Sequence, residues 1–192
     1  MNKDQAATIT SSVDWPTILY GWSLRYLGRY ASSKAQLERV LKNKIAKRPD
    51  LDPQGAYAAF PALITKLENL GYLDDEAYAR GMSVSLIRSG KSDARIRQKL
   101  QEKGLTADLI QSGLEHARER LGLDNAREQA LTGALICLRK RGQGPYLRAD
   151  REAKEPDRVL GMLARAGYSY DIAKAALNLS RDEAEQILDN IA

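Results

Sequence analysis

IRQKLQEKGLTADLIQSGL, residues Ile96 to Leu114, and VLGMLARAGYSYDIAKAAL, residues Val159 to Leu177, carry one apolar and glycine pattern twice. Ile96, Leu100, Gly104, Leu105, Leu109 and Leu114 in the first stretch fall at the offsets of Val159, Leu163, Gly167, Tyr168, Ile172 and Leu177 in the second. The period is 159 − 96 = 63 residues, which is about twice a two-helix solenoid unit and long enough for three helices. Apolar positions three and four apart mark helix faces, and each glycine stands where a helix stops. The pattern predicts tandem helical units, an architecture that offers a surface to a partner more readily than a pocket to a substrate.

Capping chemistry extends the helical reading along the chain. Asp14 caps a helix through Ile18, Leu19, Trp22, Tyr26 and Leu27, with Pro16 in its first turn. Ser33 and Gln36 form a capping-box pattern ahead of Leu37, Val40 and Leu41. Lys47 to Gly55 holds Pro49, Asp50, Asp52, Pro53 and Gly55 and reads as a break. A helix over about Tyr57 to Leu70 then ends at Gly71, where Gly71-Tyr72-Leu73-Asp74-Asp75 encodes a corner with Asp74 as the next cap and Leu73 stapled to Tyr78. Ser92, Thr106 and Ser169 open later helices, with Leu105 and Ile110 as a second staple. A helix from about Asn125 to Arg141 places Leu131, Ala134, Leu135 and Leu138 on one side, and Ser180 with Glu183 caps a terminal helix bearing Ile187, Leu188 and Ile191. No sustained period-two alternation argues for a sheet.

Composition bounds the chemistry. The 192 residues are 43% hydrophobic, enough for ordinary cores. Met1 to Val13 lacks the apolar run of a secretory signal, and no stretch reaches the roughly 18 apolar residues of a membrane span. A soluble cytoplasmic protein is expected. Cys137, the only cysteine, reads as a buried structural thiol, and His116, the only histidine, as a solvated surface residue. Neither a metal cluster nor a catalytic triad can be assembled from them, so no cofactor, no metal and no catalysis are expected. Gly90-Lys91-Ser92 resembles the end of a phosphate-binding loop, but position 85 is a serine and the preceding residues read as helix, so both required contexts fail.

Charge distribution says more than the net of +5. Between Arg88 and Lys103, Arg88, Lys91, Arg95, Arg97, Lys99 and Lys103 stand against Asp93 and Glu102, a net of 6 − 2 = +4. Beyond Ser180, Arg181 stands against Asp182, Glu183, Glu185 and Asp189, a net of 1 − 4 = −3. Arg95, Lys99 and Lys103, four apart, form a stripe from which Arg97 points away. Such a stripe suits a polyanion or an acidic protein surface, and a solvated helix face explains it equally simply. The helix to Arg141 ends in Arg139-Lys140-Arg141.

Gly71-Tyr72-Leu73-Asp74-Asp75, followed by Tyr78-Ala79, Arg88, Arg95-Ile96 to Leu100 and Lys103-Gly104, strongly resembles the RecX family of regulators of the RecA recombinase. The resemblance extends upstream through Tyr26-Leu27, Arg29, Ser33 and Leu37, and downstream through Leu163 to Asp171. It implies an elongated, curved, all-α array of three three-helix repeats lying in the groove of the RecA–DNA filament, restraining ATP hydrolysis, strand exchange and coprotease activity. Tyr78 and Tyr168 depart from the phenylalanine common in the family, and Ser89-Gly90 from a basic residue and glycine. The expected organisation is a flexible tail over 1–13, a first repeat over 14–73 with an insertion near 47–55, a second over 74–122, and a third over 123–192 with a terminal helix. Partner-binding residues are expected at Arg88, Lys91, Arg95, Lys99, Lys103, Arg139, Lys140 and Arg141. The expected partner is the RecA filament on DNA, with weaker single- or double-stranded DNA binding, no membrane, and a monomeric state. The rival is an independent helix-turn-helix DNA-binding module, against which no helix is expected to cluster Asn, Gln and Arg at its N-terminal end for base readout.

Overall fold

A computed structural model describes residues 13–48, 53–148, 150, 155–189 and 191. Residues 1–12 of the expected tail and 49–52 of the expected insertion lie outside them. Among the described residues every regular element is helical: α1 (Trp15–Leu27), α2 (Lys34–Ile45), α3 (Pro53–Ala58), α4 (Phe60–Asn69), α5 (Asp75–Arg88), α6 (Asp93–Glu102), α7 (Ala107–Arg120), α8 (Ala126–Arg141), a 3₁₀ turn over Gly144–Tyr146, α9 (Pro156–Arg165), α10 (Tyr170–Asn178) and α11 (Arg181–Asp189). The chain divides between Leu73 and Asp74 into two compact units.

In the first unit, the Thr17 N–H donates to Asp14 Oδ1 at 3.2 Å and the Gln36 N–H to Ser33 Oγ at 3.2 Å, so both expected caps form. The core holds Trp15, Leu19, Leu37, Leu41, Ile45, Phe60, Leu63, Leu67 and Leu73. On α1 the innermost residues are Trp15, Leu19 and Ser23, whose hydroxyl donates to the Leu19 carbonyl at 2.8 Å; Trp22 and Tyr26 pack around them half-buried. The single helix expected over Tyr57 to Leu70 is two, α3 and α4, and α3 begins inside the segment read as a break. Pro61 explains the interruption: it has no N–H for the Tyr57 carbonyl four residues back, and its ring crowds that oxygen. Leu73 is buried in this unit, and Tyr78 packs against the core of the other.

The second unit has one continuous core running from Ala79 to Ile191. Both copies of the repeated pattern feed it: Ile96 and Leu100 on α6, Leu114 on α7, Val159 and Leu163 on α9, and Ile172 on α10 are buried. Asp74, Ser92, Thr106 and Asn125 accept the backbone N–H three residues on, at 2.9, 3.4, 3.4 and 3.0 Å. Ser180 and Glu183 satisfy one another's backbone N–H groups at 3.3 and 2.8 Å. Ser169 is extended at its cap position but makes no capping bond; its hydroxyl donates to the Asp171 carboxylate. The one-sided packing expected of α8 is also incomplete: Gln129, Thr132, Gly133 and Ile136 are buried with Ala134, Leu135 and Leu138, while Leu131 is half-buried. A helix covered on most of its circumference has no polar stripe to read in sequence. Cys137 lies half-buried against the core rather than sealed within it.

Gly71 and Gly167 are left-handed at φ 71° and 91°. A Cβ on Gly71 meets nothing within 4 Å, whereas one on Gly167 runs into Ser92 Oγ. Gly81, inside α5, has open space around its missing Cβ. Gly71→Ala should therefore cost about 1 kcal/mol through conformation alone, Gly167→Ala clearly more, and Gly81→Ala should stabilise by up to about 1 kcal/mol. Urea unfolding separates the units, since Trp15 and Trp22 fluoresce only from the first while circular dichroism follows both. Stabilisation at Gly71 or Gly167 would contradict the corner assignments.

Candidate functional site

Three hydrogen bonds tie the corner between α5 and α6 to the corner between α9 and α10. The Tyr168 hydroxyl donates to the Gly90 carbonyl at 3.0 Å, the Ser92 hydroxyl to the Ala166 carbonyl at 2.8 Å, and Arg95 Nη2 to the Arg165 carbonyl at 3.2 Å. The last carbonyls of a helix have no intrahelical partner and carry the negative end of its dipole. The start of α6 thus caps the end of α9. Glycines permit the approach: a Cβ on Gly133 would lie 2.8 Å from the Tyr168 hydroxyl, and one on Gly90 2.7 Å from Ile136 Cγ2. Gly90-Lys91-Ser92 is accordingly a left-handed stop followed by a cap, and Ser85 lies within α5.

A fourth bond assembles the basic residues. Lys140 Nζ donates to the Ser89 carbonyl at 2.9 Å, bringing the end of α8 beside the end of α5 across 51 residues of sequence. Arg88, Lys91, Arg139, Lys140 and Arg141 are all exposed. Arg88 and Arg139 line one concavity of about 390 Å³ with Ile136, Leu188, Asp189 and Ile191, and Arg139 pairs with Glu185 of the acidic tail at 3.5 Å. Along α6, Arg95 and Lys99 are exposed and Lys103 is half-buried. Arg97 does point away, held by Asp93 at 2.6 Å and Gln111 at 2.7 Å. Arg95 is engaged at both ends of its guanidinium, since Nη1 also donates to Gln98 at 3.0 Å. Among the described residues Arg88, Lys91, Lys99 and Arg141 have no ion-pair partner. Of the expected residues, Arg95 and Lys140 bond helix-end carbonyls and Arg139 pairs with Glu185, which leaves Arg88, Lys91, Lys99 and Arg141 as the cations open to a partner.

Comparison with known proteins places this geometry in a family. Residues 74–114 match the family model described as RecX, second three-helix domain. The Regulatory protein RecX of Myxococcus xanthus is 36% identical over 168 residues, covering 85% of this chain and 86% of that one. The Regulatory protein RecX of Agrobacterium fabrum is 29% identical over 162 residues, covering 84% and 82%. The chain belongs to the RecX family. A crystal structure of RecX from Lactobacillus salivarius shares the fold, with a TM-score of 0.56 at 18% identity over 92% of this chain and 97% of that one. The all-α architecture of tandem helical units expected from the repeat is the RecX fold.

Two features of this RecX chain escaped the reading of its sequence. Arg165 is exposed at the corner that Arg95 grips, a proximity with no local sequence signal. The first unit is the more basic one: residues 1–73 hold ten basic and six acidic residues, net +4, against twenty and nineteen, net +1, in residues 74–192. There Lys42 lies over Phe60 at 5.7 Å, Lys44 over Trp22 at 5.1 Å and Lys66 over Tyr20 at 4.2 Å from the ring centroids. A charge count by unit, rather than by local run, would have found it. His116 is half-buried at a cavity rim rather than simply solvated.

Burial pushes the Tyr168 hydroxyl well above the ordinary phenol value of 10.0, with the nearby Cys137 side chain adding to the effect. A raised folded pKa contributes stability that is present below the unfolded value and lost as pH rises through the folded one. Tyr168→Phe keeps the ring and deletes the bond to Gly90; it should cost the second unit about 1–2 kcal/mol at pH 8, and the deficit should shrink above pH 10. Urea midpoints by circular dichroism at both pH values test this, and equal midpoints at pH 8 would show that the bond does not hold the corners.

Proposed function

We propose that this protein is a non-enzymatic cytoplasmic regulator that binds RecA nucleoprotein filaments and mainly inhibits RecA ATPase, strand-exchange and coprotease activities. Membership in a family whose members are named regulatory proteins supports the regulatory role. The observation that carries the reading is the exposed basic edge assembled from the ends of α5 and α8 by the Lys140–Ser89 bond. A filament of protein on DNA offers both carboxylates and phosphates, and unpaired Lys and Arg groups on a rigid frame serve either as charge-assisted donors. Bound in the filament groove, such a frame blocks the access and movement that strand exchange requires. No helix among the described residues is long and apolar enough to cross a membrane.

The second reading, an independent DNA-binding module, draws on the lysine and aromatic pairs of the first unit, since basic and stacking groups together suit single strands. The start of α6 does carry Arg95, Arg97 and Gln98, contrary to the expectation that no helix would cluster such residues. All three are spent on intrachain bonds, which argues against base readout.

Replacing Lys91, Lys99 and Arg141 together by alanine tests the proposal with residues that have no ion-pair partner among the described residues. Stability should change by less than about 0.5 kcal/mol per site, while affinity for RecA-coated single-stranded DNA should fall about tenfold or more, with a shallower salt dependence. Lys42, Lys44 and Lys66 replaced by alanine supply the contrast. If that variant alone loses affinity, and for bare DNA first, the DNA-binding module is the better reading; unchanged filament binding in the first variant returns the basic edge to an ordinary solvated face.

A further inference from the structure

On α5 and α7 of the second unit, Ala77, Arg80, Gly81, Val84, His116 and Arg120 line a cavity of about 360 Å³. None of these residues belongs to the basic edge. Ala77, Gly81 and Val84 come from successive turns of α5 and leave an open, apolar floor, with no atom within 4 Å of the position a Gly81 Cβ would take. A glycine inside a helix is less favourable than alanine by about 1 kcal/mol. Packing explains Gly113 on α7, whose Cβ would lie 3.0 Å from the Ala79 backbone, but does not explain Gly81. Three nitrogen-bearing side chains stand around the space that Gly81 keeps clear. Arg80 is half-buried and paired with Glu76. Arg120 is exposed and, among the described residues, has no ion-pair partner. His116 lies one helical turn before Arg120, on the same face of α7.

We propose that this cavity receives one carboxylate side chain of an acidic protein partner, gripped by Arg120 and Arg80 with the His116 ring as a third polar contact. The guanidinium fork matches a carboxylate in a bidentate arrangement, and Arg80 keeps N–H groups free beyond the one bonded to Glu76. Local charge selects a single carboxylate over a nucleic-acid backbone. Glu76 borders the cavity through Arg80, and Glu115 and Glu119 flank His116 on α7, so a run of phosphates laid across this surface would meet three carboxylates. A lone acidic side chain entering over Gly81 carries one charge into a lining that holds two guanidiniums, the His116 ring and no carboxylate, whereas a phosphate run extends beyond that lining to the flanking glutamates. The site is separate from the basic edge and does not rest on the RecA reading.

His116 is the only histidine, so its ring supplies a unique reporter in the NMR spectrum of the full chain. The probes are a blocked Glu-Glu dipeptide, its Gln-Gln counterpart and an oligothymidylate, each titrated at fixed pH and low salt. The Glu-Glu peptide should shift the His116 ring signals saturably and the Gln-Gln peptide should not. Gly81→Leu fills the cavity at a position where the helix gains from a side chain, so it should fold at least as stably as the native protein and yet weaken the Glu-Glu response about tenfold or more. Arg120→Ala should weaken it similarly. The proposal fails if the acidic peptide leaves the ring signals unmoved, if its response survives Gly81→Leu, or if the oligothymidylate shifts them more strongly than the peptide does.

Discussion

The Tyr168 hydroxyl on the Gly90 carbonyl is the contact on which the second unit turns. Around it the ends of α5, α8 and α9 and the start of α6 converge, and helix ends are where backbone groups lack intrahelical partners. Burying several together is costly unless each orphan carbonyl finds a donor. Tyr168 and Ser92 supply donors to the Gly90 and Ala166 carbonyls in the part-buried middle, and at the exposed rim Arg95 and Lys140 add bonds to the Arg165 and Ser89 carbonyls. The approach requires that Gly90 and Gly133 present backbone without a side chain, because a Cβ at either would collide with Ile136 or with Tyr168 itself. The tyrosine at 168, which departs from the phenylalanine that family resemblance leads one to expect, thus has a local cause: its hydroxyl has an acceptor to reach.

The same geometry separates structural charge from available charge. Helix C-termini attract cations, so Arg88 on α5, Lys99 on α6, Arg139 to Arg141 on α8 and Arg165 on α9 all stand where the dipole favours them. Concentrated basicity at these ends is partly a consequence of helix physics. What the dipole does not explain is their gathering. Lys140 reaching Ser89 places two helix ends side by side, and the resulting edge carries Arg88, Lys91 and Arg141, which have no ion-pair partner among the described residues.

Local features were the legible ones. Gly71, Gly104 and Gly167 could be read as stops, and Asp74, Ser92 and Thr106 as starts, because each acts through bonds spanning three to six residues. The repeat was legible because both copies bury the first two apolar offsets and the residue after the glycine, while at the later two one member is half-buried, Leu109 against Ile172 and Leu177 against Leu114. Interactions between distant segments were not: the bonds that assemble the site span 51, 70, 74 and 78 residues. Some local competition was missed as well. Ser169 turns its hydroxyl to donate to the Asp171 carboxylate two residues on, and no backbone N–H reaches its oxygen. At Pro61 the ring overruled an otherwise continuous helical pattern.

Corner length carries a further level of organisation. Between the left-handed glycine and the next cap stands one residue at Gly90 to Ser92, Gly104 to Thr106 and Gly167 to Ser169, but two at Gly71 to Asp74 and Gly122 to Asn125. In the shorter corners after Gly104 and Gly167, the next side chain, Leu105 or Tyr168, is 6% or 4% exposed and enters the core that the adjoining helices share. After Gly71 the next side chain, Tyr72, is 50% exposed, and the residue after it, Leu73, is buried with the helices that precede it. The additional residue lets a corner finish one helical group before the next is capped. It occurs at the border between the two compact units and again at Gly122 to Asn125, where we propose that the second three-helix repeat ends and the third begins. There the outcome differs, because Leu123 is buried in the common core and joins the groups on either side.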